Sequence, residues 1–169
     1  MPPELAHYLH RIDDLRGQVR ELIADLPAEA LNWRPLPTTA DHAMNSLAVL
    51  AAHVAGAEQF WIAEVIGGLP PTRDREAEFA TIAASSAPLV ARLDAVGAMT
   101  HQVCERLTAA DLEGSRQAHG REVSVRWAFL HVIDHTALHL GHMQITYQLW
   151  QGGVAKASPR WFQRLPRAS

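Results

Sequence analysis

Apolar residues recur at threes and fours along four stretches of the chain, the spacing of one buried face of an α-helix. The first stretch is Leu5, Leu9, Ile12, Leu15, Val19, Leu22 and Leu26. It starts near Pro2-Pro3, where proline is tolerated in a first turn, and ends at or near Pro27. Asp13, Asp14, Arg16, Gln18 and Glu21 fall mostly on the opposite side and read as a solvated face. The second stretch, Leu47, Leu50, Val54, Trp61 and Val65, has Asn45 or Ser46 as its cap and stops after Ile66 at Gly67-Gly68. The third follows Ser85 or Ser86 and Pro88, with Leu89, Leu93, Val96, Thr100, Val103 and Leu107 on one side. The fourth and longest runs from Ser124 to Trp150 and is closed by Gly152-Gly153.

Between them lie a proline-rich connection over 27–43, a charged one from Pro70 to Ala84 with room for a short helical turn, and a third over 108–123. No stretch alternates as a strand would. The pattern therefore predicts an all-α four-helix bundle, with crossovers in the long first and second connections.

The fourth stretch also carries chemistry. At about 100° per residue, His131, His135, His139 and His142 fall within an arc of roughly 80°. Leu138, Ile145 and Leu149 share or border that arc, which predicts that the histidines face the interior. An imidazole buried without a partner costs stability, and a metal ion is one partner that removes the cost. Residues three or four apart sit one turn apart, close enough for two imidazoles to reach one ion. His131/His135, His135/His139 and His139/His142 all have such spacing. A third ligand must come from another element, and His53, beside the apolar stripe of the second helix, is the obvious supplier. Phe129, Ile133, Leu140 and Met143 lie opposite the histidines, and a helix apolar all round is buried on two sides. That predicts a second subunit against this outer face, hence a homodimer.

The 169 residues suffice for one domain over 1–169, with 154–169 as a C-terminal tail whose Trp161 and Phe162 pack on the bundle. A content of 48% apolar and 20% charged residues is ordinary globular composition. A net charge of −3 offers no general attraction to nucleic acid or anionic membranes. No apolar run reads as long enough to span a bilayer, and the N-terminus has no basic start followed by an apolar run. The single cysteine, Cys104, reads as a small buried residue and fits a reducing compartment; together these place the chain in the cytoplasm. His101 and His119 lie outside the histidine stripe and are expected at the surface. Trp33 beside Arg34, in the first connection, either caps the bundle end or lines a pocket for an anionic group.

Three pieces, LNWRPLP, LAAHVAGAEQFWI and HTALHLGH, resemble the DinB/YfiT-like superfamily of metal-binding four-helix bundles over nearly the whole chain. The resemblance implies that His53, His135 and His139 are the metal ligands. RWAFLHVIDH and HLGH are similar to the branch containing mycothiol-dependent transferases, in a superfamily that also includes bacillithiol-dependent ones. That branch often has Glu in the place of His135, and other relatives have Arg and Gln in the places of Leu140 and His142. Imidazole ligation suits zinc, nickel, copper or iron, of which zinc or nickel is expected, and an ion held by three protein ligands keeps positions open for chemistry. The expected activity is a metal-dependent S-transfer from a low-molecular-weight thiol to a small electrophile. His131 and His142 are candidates for proton transfer or for hydrogen bonding to the ligands. A hydrolase using metal-activated water and a non-catalytic metal-binding or stress protein are the alternatives.

Overall fold

A computed structural model describes residues 1–36 and 44–165. Its long elements are α1 (Pro3–Ile23), α3 (Leu47–Glu58), α5 (Ala87–Arg106) and α7 (Val125–Trp150). Short helices α2 (Ala28–Asn32), α4 (Arg75–Phe79) and α6 (Ala109–Glu113) sit in the connections, and a 3₁₀ turn at Trp161–Gln163 lies in the tail. The four long helices agree with the four apolar stretches to within a few residues. The part of the first connection over 37–43 lies outside the described residues.

Contacts between the long helices fix their directions. Arg126, at the start of α7, pairs with Glu4 at the start of α1 at 2.7 Å, and Lys156 just past α7 donates to the carbonyl of Glu21 at 2.7 Å. These two helices are parallel. Asp13 meets His101 at 2.9 Å while Arg20 meets Asp94 at 2.9 Å, so α1 and α5 are antiparallel. His53 reaches His135 while Trp61 reaches Trp127, so α3 and α7 are antiparallel. The order is up-down-down-up, with α1 and α3 on one diagonal and α5 and α7 on the other. Parallel neighbours α3 and α5 need a connection that returns along the bundle, and the segment between Ile66 and Ala87 makes that return. The expected crossover therefore sits in the second connection, while the first joins helices across the diagonal.

Four features depart from the sequence reading. Residues 108–123 contain α6 and a hairpin, β1 (Ser115–Ala118) paired antiparallel with β2 (Arg121–Ser124). His119 and Gly120 form its two-residue turn, both with positive φ (50° and 72°), the conformation that matches the twist of paired strands. Strands of four residues carry too little alternation to register against the surrounding helices.

Second, α3 continues as a π-helix over Gln59–Ile66. The wider turn slips the register, so Ile62, Ala63 and Ile66 enter the core while Val65 is half-buried. Third, Leu47–Ile66 is long and apolar enough to cross a membrane by length and composition, contrary to expectation, but 72% of that window is buried inside the bundle.

Fourth, the core face of α7 is Val125, Ala128, Phe129, Val132, Leu140 and Met143. Phe129, Leu140 and Met143, expected on an outer face against a second subunit, are thus inside this subunit, and Ile133 packs half-buried against them. Leu138, Ile145 and Leu149 are the exposed ones, so the histidine stripe runs along the border between core and surface. In the tail, Phe162 is 52% exposed, and Lys156 and Arg164 tie the segment to α1.

Ser46 caps the helix that carries His53, its hydroxyl accepting from the Val49 amide at 3.3 Å in a buried setting. Ser46→Ala should lower stability by about 1 kcal/mol in urea titration, because that buried N–H loses its acceptor.

Candidate metal centre

Three helical turns bring the site together. His53 projects from the middle of α3, and His135 and His139, one turn apart, project from the facing side of α7. Their candidate ligand nitrogens all lie within 4.8 Å of one another. His53 Nε2 is 3.1 Å from His135 Nε2, and the His135 and His139 rings are 4.4 Å apart at 73°. His53 is buried and the two α7 histidines are half-buried, which leaves the cluster approachable from one side.

Burial and the nearby imidazoles push His135 down to about 3 and His139 down to about 4, so both are neutral at physiological pH. The Nδ1 atoms of both rings are buried and have no hydrogen-bond partner among the described residues. Neutral imidazoles with unfilled lone pairs are the donor set a borderline divalent ion requires. The three residues fit a metal ion.

These shifts set a pH dependence for metal-free protein. The unfolded chain takes up protons near 6.5, whereas the folded chain resists until about 4 for His139 and about 3 for His135. The unfolded state therefore binds more protons in that window, and stability falls as pH drops from 6.5 toward 4. Glu58 works the other way, because burial pushes its carboxyl up and its protonation favours the folded state in acid. Chelator-treated wild type should thus lose melting temperature between pH 7 and pH 5 more steeply than His135→Ala/His139→Ala. Parallel curves would show that these rings ionise freely in the fold.

The crossover segment adds a carboxylate no apolar period could reveal. Glu78, at 0% exposure on α4, lies 3.0 Å from His53 Nδ1 through Oε2. Arg73 grips the same carboxylate in a fork, Nε to Oε1 at 2.8 Å and Nη2 to Oε2 at 2.9 Å. Burial pushes the Glu78 carboxyl up, but the hydrogen bonds from Arg73 and His53 outweigh it and hold it down at about 2. Phe79 covers the His53 ring at 4.8 Å. The one sequence signal was Gly56, one turn after His53 on the same helix. A Cβ there would meet Glu78 Oε1 at 1.7 Å.

The other candidates are placed differently. His131 stacks on Trp127 at 4.8 Å and 4° and meets Trp61 edge-on, with its ring 5.6 Å from that of His135. Burial lowers its basicity. His142 is exposed, its ring 5.5 Å from that of His139. Among the described residues neither hydrogen-bonds to the three clustered histidines. Trp33 is half-buried and Arg34 exposed just beyond α2, and no described hydrogen bond or ring contact joins either to the cluster. His101 and His119 are exposed as expected, and Cys104 is buried, its thiol pushed up to about 12 by burial first and by Asp13 and Glu58 beyond that.

A family model described as the DinB superfamily matches residues 11–143. Among solved structures, a conserved protein from Enterococcus faecalis is 18% identical with a TM-score of 0.68, covering 90% of this chain and 99% of its own. A DinB-like protein from Bacillus cereus is 16% identical with a TM-score of 0.69, covering 90% and 95%. At these identities the likeness is one of fold. No curated protein matches the chain.

Proposed function

The chain belongs to the DinB superfamily, and from that premise we propose that it is a divalent-metal-dependent enzyme transferring a low-molecular-weight thiol to a small electrophile. The observation that carries the reading is the convergence of His53, His135 and His139 within 4.8 Å at a half-buried position. A structural ion is enclosed by four protein ligands, whereas three imidazoles on two helices leave one side for a reactant. A zinc or nickel ion, when bound, supplies the Lewis acidity that makes a thiol nucleophilic at neutral pH.

The chain's own residues supply the rest. The π-helical turn brings Trp61 against Trp127 and His131, an aromatic wall that approaches the histidines through His131. Such a wall suits a flat or apolar electrophile and keeps water from one flank. In this reading His142, exposed and three residues beyond His139, passes a proton to solvent. In the transfer a sulfur–carbon bond forms as the bond to the leaving group breaks, and the thiol proton leaves with that group or through solvent.

The test begins with elemental analysis of protein purified without a metal column. About one equivalent of zinc or nickel is expected, followed by turnover of an aryl or alkyl halide only when a low-molecular-weight thiol is added. Turnover that persists without thiol would replace transfer by hydrolysis. Protein that neither retains nor takes up metal would leave a non-catalytic bundle.

A further inference from the structure

We propose that Glu78, clamped by Arg73 and admitted by the missing side chain at Gly56, is a positioning residue that sets the tautomer and aim of His53. The role rests on the metal-site reading above. His53 offers Nε2 to the shared centre, where it already lies 3.1 Å from His135 Nε2. That nitrogen can bind an ion only if it carries a lone pair, so the ring proton must sit on Nδ1. Nδ1 lies 3.0 Å from Glu78 Oε2. A carboxylate gripped by an arginine fork accepts hydrogen bonds and donates none, so this contact requires the proton on Nδ1. Arg73 Nη2 bonds Glu78 at 2.9 Å through one of its two N–H groups and lies 3.4 Å from the same ring nitrogen, but Glu78 Oε2, at 3.0 Å, is the closer partner of Nδ1. Arg92 adds a second cation, 3.6 Å from Glu78 Oε1.

Gly56 makes the approach possible. Any Cβ at this position would lie 1.7 Å from Oε1 and 2.4 Å from the carboxyl carbon of Glu78. An interior helical glycine costs stability relative to alanine, and here its place is explained by the carboxylate packed over it. The carboxylate comes from the crossover segment, so the connection demanded by the parallel α3/α5 pair is also what orients a ligand on α3.

The experiment uses ion-free full-length protein with ¹⁵N-labelled histidine, read by long-range ¹H–¹⁵N correlation. The His53 ring should show a protonated Nδ1 and a bare Nε2. In Glu78→Gln the amide NH₂ must face either an Arg73 N–H or the His53 N–H, so the single tautomer should be lost. Zinc affinity, measured by chelator competition, should weaken about 10–100-fold. Gly56→Ala should weaken it comparably while leaving the carboxylate in the sequence. Circular dichroism of each variant separates this effect from unfolding, and the wild-type spectrum decides the tautomer with no substitution at all. A wild-type His53 protonated on Nε2 overturns the proposal. So does wild-type zinc affinity in both folded variants, which leaves the metal reading standing. Wild-type protein that binds no zinc overturns both.

Discussion

Arg16→Met is expected to cost about 3–5 kcal/mol in urea denaturation at pH 8, because it leaves the Glu58 carboxylate inside the bundle without its cation. Glu58 is fully buried, its Oε1 bonded to Arg16 at 2.5 Å and to the Thr100 hydroxyl at 2.6 Å. Its Oε2 is buried with no partner among the described residues. Arg16 is itself bonded to Asp13 and fits against Gly97, where a Cβ would press on the guanidinium at 2.7 Å. Glu58 already has a raised carboxyl because of burial, with Arg16 holding it back. Removing the arginine raises it further, so protonation favours the folded state as pH falls, and the variant should recover part of its loss at pH 5. Arg16→Met/Glu58→Met should recover most of it at any pH, since an apolar pair of similar volume needs no compensation. A single-variant loss below about 1 kcal/mol would mean that water reaches Glu58.

His135→Ala and His139→Ala should each weaken zinc binding by at least about 100-fold, since each removes one of the three clustered imidazoles. Such a change corresponds to about 2.7 kcal/mol. In chelator the same variants should melt at or above the wild-type temperature, because each removes a half-buried ring whose Nδ1 has no described partner. The contrast distinguishes ligands from packing residues. With zinc at 100 times its dissociation constant the wild type gains about 2.7 kcal/mol by mass action, and the variants gain little. His131→Ala and His142→Ala should each change zinc affinity less than tenfold. Their rings approach those of His135 and His139 with no described hydrogen bond to the cluster. Equal zinc affinity in wild type and His135→Ala would move the site elsewhere.

The helices were legible because their apolar period persists for five turns or more, and α1 matches its expected face residue for residue up to Leu22. His135 and His139 were legible for the same reason, as spacing of four on one helix places both side chains together. The direction of that stripe was not. α7 is apolar around much of its circumference, and period alone cannot say whether Val132 and Met143 or Leu138 and Ile145 face inward. Packing decides it, and places the histidines at the seam. Glu78 and Arg73 lay in a charge-rich segment with no period, which reads as solvated until the fold wraps it over α3. What buries Glu78 is tertiary: the return path between parallel helices and the gap left by Gly56.

The up-down-down-up order also dictates when the site can exist during synthesis. The His53 and His135 imidazoles are 82 residues apart in the chain, and α7 is made after the other three long helices of the bundle. α1, the first, finds its parallel partner only when α7 emerges from the ribosome. Until then the flanks of α1 and α3 that α7 will cover are bare apolar surface, and His53 has its crossover neighbours Glu78, Arg73 and Phe79 but neither α7 histidine. Closure of the bundle and assembly of the three histidines are therefore one late event of high contact order, so a nascent chain stalled before α7 both lacks the histidine cluster and is prone to aggregate.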